Sequence, residues 1–231
     1  MNGNREARAG FWRDNSLTLT FGIAFLVVLA CQALTGHAEF NEQMTVDGLQ
    51  PITFTDYLAS SDFAVDVTEN WQSEFLQFFL YIFGTVYLVQ RGSPESKKVH
   101  EAGIESEREQ RMGEHARPDS PRWAGTGDWR QTLYARSLGT VMGGLFLLSW
   151  AAQSIAGTAA YNDQRLRQLQ DPVSWAGYVA TPDFWSRTLQ NWQSELLAVA
   201  AMVVLSIYLR QRGSPESKPV GAAHTTTGIE G

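Results

Sequence analysis

The stretch NWQSEFLQFFLYIFGTVYLVQRGSPESK occupies residues 70–97, and it returns with changes as NWQSELLAVAAMVVLSIYLRQRGSPESK at residues 191–218. Each version begins with a polar block, continues through an apolar run and ends in the same eight residues, QRGSPESK. The match extends backwards without a gap, so that residues 16–97 align with residues 137–218 and 32 of the 82 positions are identical. This clustering of identities at a constant offset indicates an internal repeat.

Each repeat contains two apolar windows of the length that a membrane span requires. The hydrocarbon core of a bilayer is about 30 Å thick, and a helix crosses it with about 20 residues. The windows lack the polar stripe at helical spacing that a core helix of a soluble protein carries. The sequence therefore predicts an all-α integral membrane protein with four transmembrane helices, at Leu17–Gly36, Trp71–Gln90, Leu138–Gly157 and Trp192–Leu209.

The distribution of Lys and Arg predicts the orientation of these spans, since cytoplasmic loops carry an excess of basic residues. Of the 18 basic residues, 15 lie before the first span, between the second and third, or after the fourth. The outer loops 37–70 and 158–191 hold the other three. Both termini are therefore predicted to be cytoplasmic, in the plasma membrane of a bacterium. Because each repeat has two spans, the two tandem helical hairpins would be related by a pseudo-twofold axis along the membrane normal.

These patterns divide the chain into five segments. The two repeats are linked by a stretch rich in Glu, Arg and Gly that has few apolar residues, as is typical of disordered connectors. The predicted organisation is a cytoplasmic segment 1–16, a first repeat 17–97, a disordered linker 98–130, a second repeat 131–218 and a disordered tail 219–231.

Helix signals recur at matching places in both repeats. Thr181-Pro182-Asp183 combines an N-cap, a proline at the first helical position and an acid in the first turn, which predicts one helix over Pro182–Leu209. A matching helix is expected from Asp62 to Gln90. Short helices are expected at Phe54–Ala59 and Trp175–Ala180, and Arg-Gly-Ser-Pro is expected to end each long helix with a left-handed glycine C-cap.

Two carboxylates fall inside the predicted spans, and buried carboxylates in membranes are candidates for function. Glu74 and Glu195 would lie just below the outer headgroups, with Gln32 and Gln153 at a similar depth on the other helix of each hairpin. An amide is therefore expected beside a carboxylate in each repeat. A structural clamp and an ion or ligand site both remain open interpretations. The candidate intramembrane site comprises Gln32, Glu74, Gln153, Glu195, Asn70, Asn191, Ser73 and Ser194.

The verbatim repetition of the cytoplasmic block suggests a second candidate site. Helix capping explains its Gly and Pro, and docking of a protein partner is the alternative. The candidate residues are Arg91, Gly92, Ser93, Pro94 and Glu95 in the first copy and Arg212, Gly213, Ser214, Pro215 and Glu216 in the second.

Composition excludes several classes of protein. A net charge of −6 without a basic cluster argues against nucleic-acid binding, and a single Cys cannot form a disulfide within the chain. No catalytic constellation, metal-ligand spacing or cofactor motif is present, so we expect neither an enzyme nor a cofactor. The expected partners are the lipid bilayer and a protein partner or a second copy of the chain.

The blocks Asn70-Trp71-Gln72-Ser73-Glu74 and Gln90–Lys97, together with Phe40-Asn41-Glu42-Gln43 and their repeats, resemble those of an uncharacterised family of multi-pass membrane proteins found chiefly in actinobacteria. The resemblance covers both repeats and implies a membrane location without an established activity. We therefore expect a non-catalytic membrane scaffold or partner-docking component. The alternative is a small ion or solute permeation unit that uses Glu74 and Glu195.

Overall fold

The computed structural model describes residues 10–228, and this part of the chain is all-α, with no β-strand. The chain divides into two compact units. One comprises the described residues up to Ala64 together with Asn162–Pro172, and the other comprises Val65–Tyr161 and the residues from Val173 onward. The α-helices are α1 (Ser16–Val46), α2 (Phe54–Leu58), α3 (Ser61–Tyr87), α4 (Trp129–Ala135), α5 (Ser137–Arg167), α6 (Trp175–Val179) and α7 (Pro182–Tyr208).

Two helices of the described chain, α1 and α5, are long and apolar enough to cross a membrane, at 31 residues each. A core helix of a soluble protein passes the same test, but such a helix is mostly buried. Here only 6% of the apolar window of α1 and 28% of that of α5 are buried within the protein. The two helices therefore present most of their apolar side chains to the surroundings.

Helices α3 and α7 do not have an apolar stretch long enough to meet this criterion, so two of the four predicted spans remain as candidates. Both helices stop early, at Tyr87 and Tyr208. The apolar stretches from Phe75 to Tyr87 and from Leu196 to Tyr208 have 13 residues each. At 1.5 Å per residue they span only about 20 Å. The polar Trp-Gln-Ser-Glu block occupies the preceding turn in each helix.

The signals for helix starts are confirmed. Thr181 caps α7, its Oγ1 accepting a hydrogen bond from the backbone N–H of Phe184 at 3.3 Å, and Pro182 is the first helical residue. The short helices α2 and α6 lie where they were expected. Thr53 and Ser174 cap them, each accepting a hydrogen bond from a backbone N–H three residues later.

The prediction of a glycine C-cap for the long helices is wrong. Helix α3 ends at Tyr87 and α7 at Tyr208, several residues before Gly92 and Gly213. Leu209, the residue after α7, already has an extended backbone, with φ −95° and ψ 159°. The glycines do have positive φ, at 91° and 85°, but they belong to separate turns beyond the helix ends.

In the unit that contains α1, two side chains hold the following loop against this helix. Asn41 forms two hydrogen bonds with the backbone of Ile52: its Oδ1 accepts from the N–H at 2.8 Å and its Nδ2 donates to the carbonyl at 3.0 Å. His37 Nε2 also lies 2.9 Å from the Ile52 carbonyl oxygen. Tyr57, 2% exposed, packs over Gly36, where a Cβ would collide with its hydroxyl oxygen. The loop is thus fixed to the last turns of α1.

In the other unit, small residues allow α3 and α5 to approach closely. A Cβ on Gly139 would lie 2.7 Å from the ring of Phe83, and one on Gly143 would lie 2.9 Å from the ring of Phe79. The GxxxG spacing of α5 thus serves a close helix contact, as this motif commonly does in membranes. Farther along α5, Trp150 packs against α7. The centroid of its ring lies 6.2 Å from that of Phe184 and 5.7 Å from that of Trp192.

Candidate functional site

Four of the predicted intramembrane residues form hydrogen bonds within their own helices. Asn70 and Asn191 donate to the carbonyl oxygens of the residues four positions earlier, at 2.7 and 2.9 Å. Ser73 and Ser194 donate to the carbonyl oxygens of Asn70 and Asn191, both at 2.9 Å. The two copies use the same pattern, and it satisfies these side chains locally.

In the second repeat, no hydrogen bond joins the side-chain amide of Gln153 to the carboxylate of Glu195. Gln153 is fully buried, and neither its Nε2 nor its Oε1 has a hydrogen-bond partner in the described part of the chain. Glu195 on α7 is only half-buried. Gln32 belongs to the other unit, where it is half-buried on α1.

The two carboxylates of the predicted site lie on different helices of the same unit. Glu74 is exposed on α3, Glu195 lies on α7, and both belong to the same unit.

Sequence reasoning missed the interhelical contact that Gln72 makes. This side chain is fully buried on α3, and its Oε1 accepts a hydrogen bond from Trp192 Nε1 on α7 at 2.7 Å. Gln72 and Trp192 both belong to the repeated NWQSE block. The indole N–H of Trp192 therefore has a buried partner on the neighbouring helix. The repetition of the block was the available signal, and its central amide was overlooked.

A charged cluster combines Glu69, which directly precedes the first NWQSE block, with Asp183 and Arg187, which lie two turns and one turn before the second. Arg187 forms ion pairs with Glu69 at 3.3 Å and with Asp183 at 3.5 Å. Tyr178 donates a hydrogen bond to Asp183 at 3.3 Å. Burial raises the pKa of Glu69, and the nearby Arg187 guanidinium only partly opposes this rise. The signal in the sequence was the rarity of basic residues in the outer loops, where Arg187 is one of three.

The two QRGSPESK segments, called here the first motif (90–97) and the second motif (211–218), share one backbone geometry. In each, the N–H of Ser93 or Ser214 donates to the carbonyl three residues earlier, at 3.1 and 3.2 Å. The third residue of this turn is Gly92 or Gly213, with the positive φ that a type II turn requires. The first residue of each motif also donates its N–H to a later serine: Gln90 to Ser96 Oγ at 2.7 Å and Gln211 to Ser217 Oγ at 2.9 Å.

The two motifs differ in what covers them. Gly92, Ser93 and Pro94 are buried, whereas Gly213 and Pro215 are exposed. A Cβ at Gly92 would collide with the backbone oxygen of His224, whereas a Cβ at Gly213 would meet no described atom within 4 Å. Identical sequences therefore present one closed turn and one open turn.

The segment 219–228 closes the first motif. Thr227 Oγ1 accepts a hydrogen bond from the Gly92 N–H at 2.8 Å, and the Gly228 N–H donates to the Ser93 carbonyl at 3.1 Å. Lys218, 1% exposed, places its ammonium 2.5 Å from the Gly92 carbonyl oxygen. Carbonyl oxygens of Ala223, His224 and Thr226 surround the same ammonium at 3.0–3.3 Å. These contacts differ from the disordered tail that the composition predicts.

The linker carries short turns in addition to α4. Three 3-10 helices lie at Val99–Glu101, Gly113–His115 and Arg122–Gly125. A cavity of about 320 Å³ opens beside them, with Arg111, Arg117 and Tyr134 in its wall. Among residues 10–228, no group of three or more His, Cys, Asp or Glu side chains could hold a metal ion.

Comparison with known proteins identifies the family. The family model DUF6766, described as a domain of unknown function, matches residues 8–229. The chain belongs to the DUF6766 family. The match takes in both motifs and the linker between the repeats. No curated protein and no solved structure matches the chain, so this family membership carries no activity with it.

Proposed function

We propose that this DUF6766 chain is a non-catalytic membrane component that docks a protein partner through its second motif. One observation carries the proposal: the turn Gly92-Ser93-Pro94 is buried in the first motif, whereas in the second motif Gly213 and Pro215 are exposed and Ser214 is half-buried. A turn that binds a peptide segment in one place offers the same backbone groups in the other. The surface that would receive the partner is Arg212, Gly213, Ser214, Pro215 and Glu216.

The proposal includes an arrangement in the membrane. Helices α3 and α7 would cross the bilayer together with α1 and α5, as two hairpins related by a pseudo-twofold axis. The equal lengths of α3 and α7, at 27 residues each, support this arrangement. The bias of Lys and Arg supports cytoplasmic termini, in the plasma membrane of a bacterium of the actinobacterial type. Both motifs would then face the cytoplasm.

Photo-crosslinking in living cells tests the docking role. A photoreactive amino acid in place of the exposed Pro215 should form an adduct with one partner protein, or with a second copy of the chain. The matched control carries the same amino acid in place of the buried Pro94, and it should yield only crosslinks within the chain. Equal adducts at both positions, or none at Pro215, would refute the docking role.

The pair of carboxylates favours a second candidate, a small ion or solute permeation unit. Two acids on neighbouring apolar helices of one unit, Glu74 on α3 and Glu195 on α7, could bind a cation. Purified protein in liposomes should then conduct a cation, and Glu74→Gln combined with Glu195→Gln should abolish the flux. The docking role predicts that the double variant folds and crosslinks at position 215 as the wild type does. If the purified chain shows no measurable flux for any cation or anion, the permeation role is refuted.

A further inference from the structure

The closed first motif shows what chemistry this turn binds. Three groups of the second repeat and its following segment contact it: the Lys218 ammonium at the Gly92 carbonyl, the Thr227 hydroxyl at the Gly92 N–H, and the Gly228 N–H at the Ser93 carbonyl. The bound segment therefore supplies a cation, a hydroxyl and a backbone donor to two consecutive residues of the turn. Each of these groups complements the donor or acceptor that it meets.

The open second motif has the same turn without these contacts. Gly213 has φ 85°, close to the 91° of Gly92, so its N–H and carbonyl are presented in the same way. Over residues 10–228, neither backbone group of Gly213 forms a hydrogen bond. Ser214 is half-buried, and its carbonyl accepts a hydrogen bond from the Ser217 N–H at 3.3 Å. A ligand at this turn would therefore bind Gly213 first.

The lysine that matches Lys218 is engaged elsewhere. Lys97 ends the first motif as Lys218 ends the second, but its ammonium contacts the Gly103 carbonyl oxygen at 2.7 Å and the Glu105 carboxylate at 2.5 Å. Ser106, which precedes Thr227 by the offset of the repeat but lies in the linker, hydrogen-bonds to Glu109 at 2.7 Å. Lys97 and the linker therefore do not cover the second motif in the way that Lys218 and segment 219–228 cover the first motif.

We propose that the exposed turn at Gly213 binds an extended segment of a partner protein that carries an ammonium group and a Ser or Thr hydroxyl followed by a glycine. The inference rests on the proposed docking role and names the chemistry of the partner. The segment would bind as residues 218–228 bind Gly92, with the hydroxyl at the Gly213 N–H and the ammonium at the Gly213 carbonyl. The chain thus carries a model of its partner's binding segment.

A fluorescent peptide of residues 218–231, KPVGAAHTTTGIEG, serves as the probe of this turn. Fluorescence anisotropy with the full chain in nanodiscs should give one saturable site. Gly213→Ala should weaken binding about tenfold, because alanine disfavours the positive φ of the turn. The control Gly144→Ala, at a helical glycine outside both motifs with no described atom within 4 Å of its Cβ, should bind the peptide as the wild type does.

Changes in the peptide keep the test independent of protein folding. Replacing the threonine that corresponds to Thr227 with valine should weaken binding about fivefold, because one hydroxyl acceptor is lost. Replacing the lysine that corresponds to Lys218 with methionine should weaken it more, since charge-assisted hydrogen bonds are stronger. Binding that ignores both changes, or that disappears in Gly92→Ala but not in Gly213→Ala, overturns the inference.

The outcomes for the two proposals are distinguishable. If a partner crosslinks at position 215 and the peptide does not compete with it, docking stands and the proposed chemistry of the segment falls. If the peptide binds at Gly213 and no partner crosslinks in cells, the turn chemistry stands and the docking role falls.

Discussion

The contact between segment 219–228 and the first motif can be broken by one methyl group. In Gly92→Ala, the new Cβ would collide with the His224 carbonyl oxygen and approach Ile207 Cγ2 at 3.0 Å. Gly213→Ala places the same methyl group on the same backbone conformation with no described atom within 4 Å. The left-handed backbone costs both variants about 1–2 kcal/mol. The difference between them therefore isolates the contact with the segment.

The size of the effect follows from the bonds that Gly92→Ala would remove. The Thr227 and Gly228 hydrogen bonds are neutral and contribute about 1 kcal/mol each, and the Lys218 bond to Gly92 is charge-assisted and contributes about 2 kcal/mol. Loss of the two neutral bonds should accelerate amide exchange of the segment about 30-fold, and loss of all three about 1000-fold. In Gly213→Ala the segment should exchange at the wild-type rate.

Hydrogen exchange with mass spectrometry on the C-terminal peptide, in detergent or nanodiscs, measures this difference directly. The wild-type chain should protect residues 219–228, as the Gly228 N–H bond to the Ser93 carbonyl requires. An unprotected segment in the wild type would support the disorder that the composition predicts and would refute the closed turn. Equal acceleration in both variants would show that turn strain, and not the collision with His224, releases the segment.

Three further perturbations test other contacts. Gln153→Leu should raise the free energy of unfolding in detergent by about 1–3 kcal/mol, because it removes a buried amide that has no hydrogen-bond partner among the described residues; a loss of stability would mean that this amide has a partner. Gly143→Leu should destabilise the chain by about 1–3 kcal/mol, since its Cβ would press on the Phe79 ring, whereas Gly144→Leu, with no described atom within 4 Å, should have little effect; thermal unfolding of the two variants compares them. Burial raises the pKa of Glu69, so the folded state binds its proton more tightly than the unfolded state, and this residue's contribution to stability falls as pH rises above about 4.3. Glu69→Gln should remove that part of the pH dependence, and identical pH profiles of unfolding for variant and wild type would contradict the assignment.

The sequence predicted helices better than contacts between them. The caps at Thr181, Thr53 and Ser174 follow from local hydrogen bonding, and local rules place them correctly. The ends of α3 and α7 were misplaced because the expected left-handed cap needs helical residues up to the glycine, and Leu209 is already extended.

The candidate sites show the same difference between local features, which the sequence indicates, and contacts between distant residues, which it does not. Glu74 and Glu195 could be singled out because a carboxylate in an apolar window is conspicuous. Gln72 could not be distinguished from its neighbours in the NWQSE block, since only the rotation of α3 against α7 selects it as the partner of Trp192. The closure of the first motif by Thr227 depends on a contact across 135 residues, which no local pattern encodes.

The unequal covering of the two motifs has a consequence for how the chain tolerates change. At Gly92, any side chain conflicts with a neighbouring backbone, so mutation there is penalised by the molecule itself. At Gly213 a Cβ would meet no described atom within 4 Å, and Pro215 is exposed, so the described surroundings impose no such steric limit there. Two identical motifs are thus constrained differently: contacts within the chain restrict the glycine of the first motif and leave that of the second unrestricted.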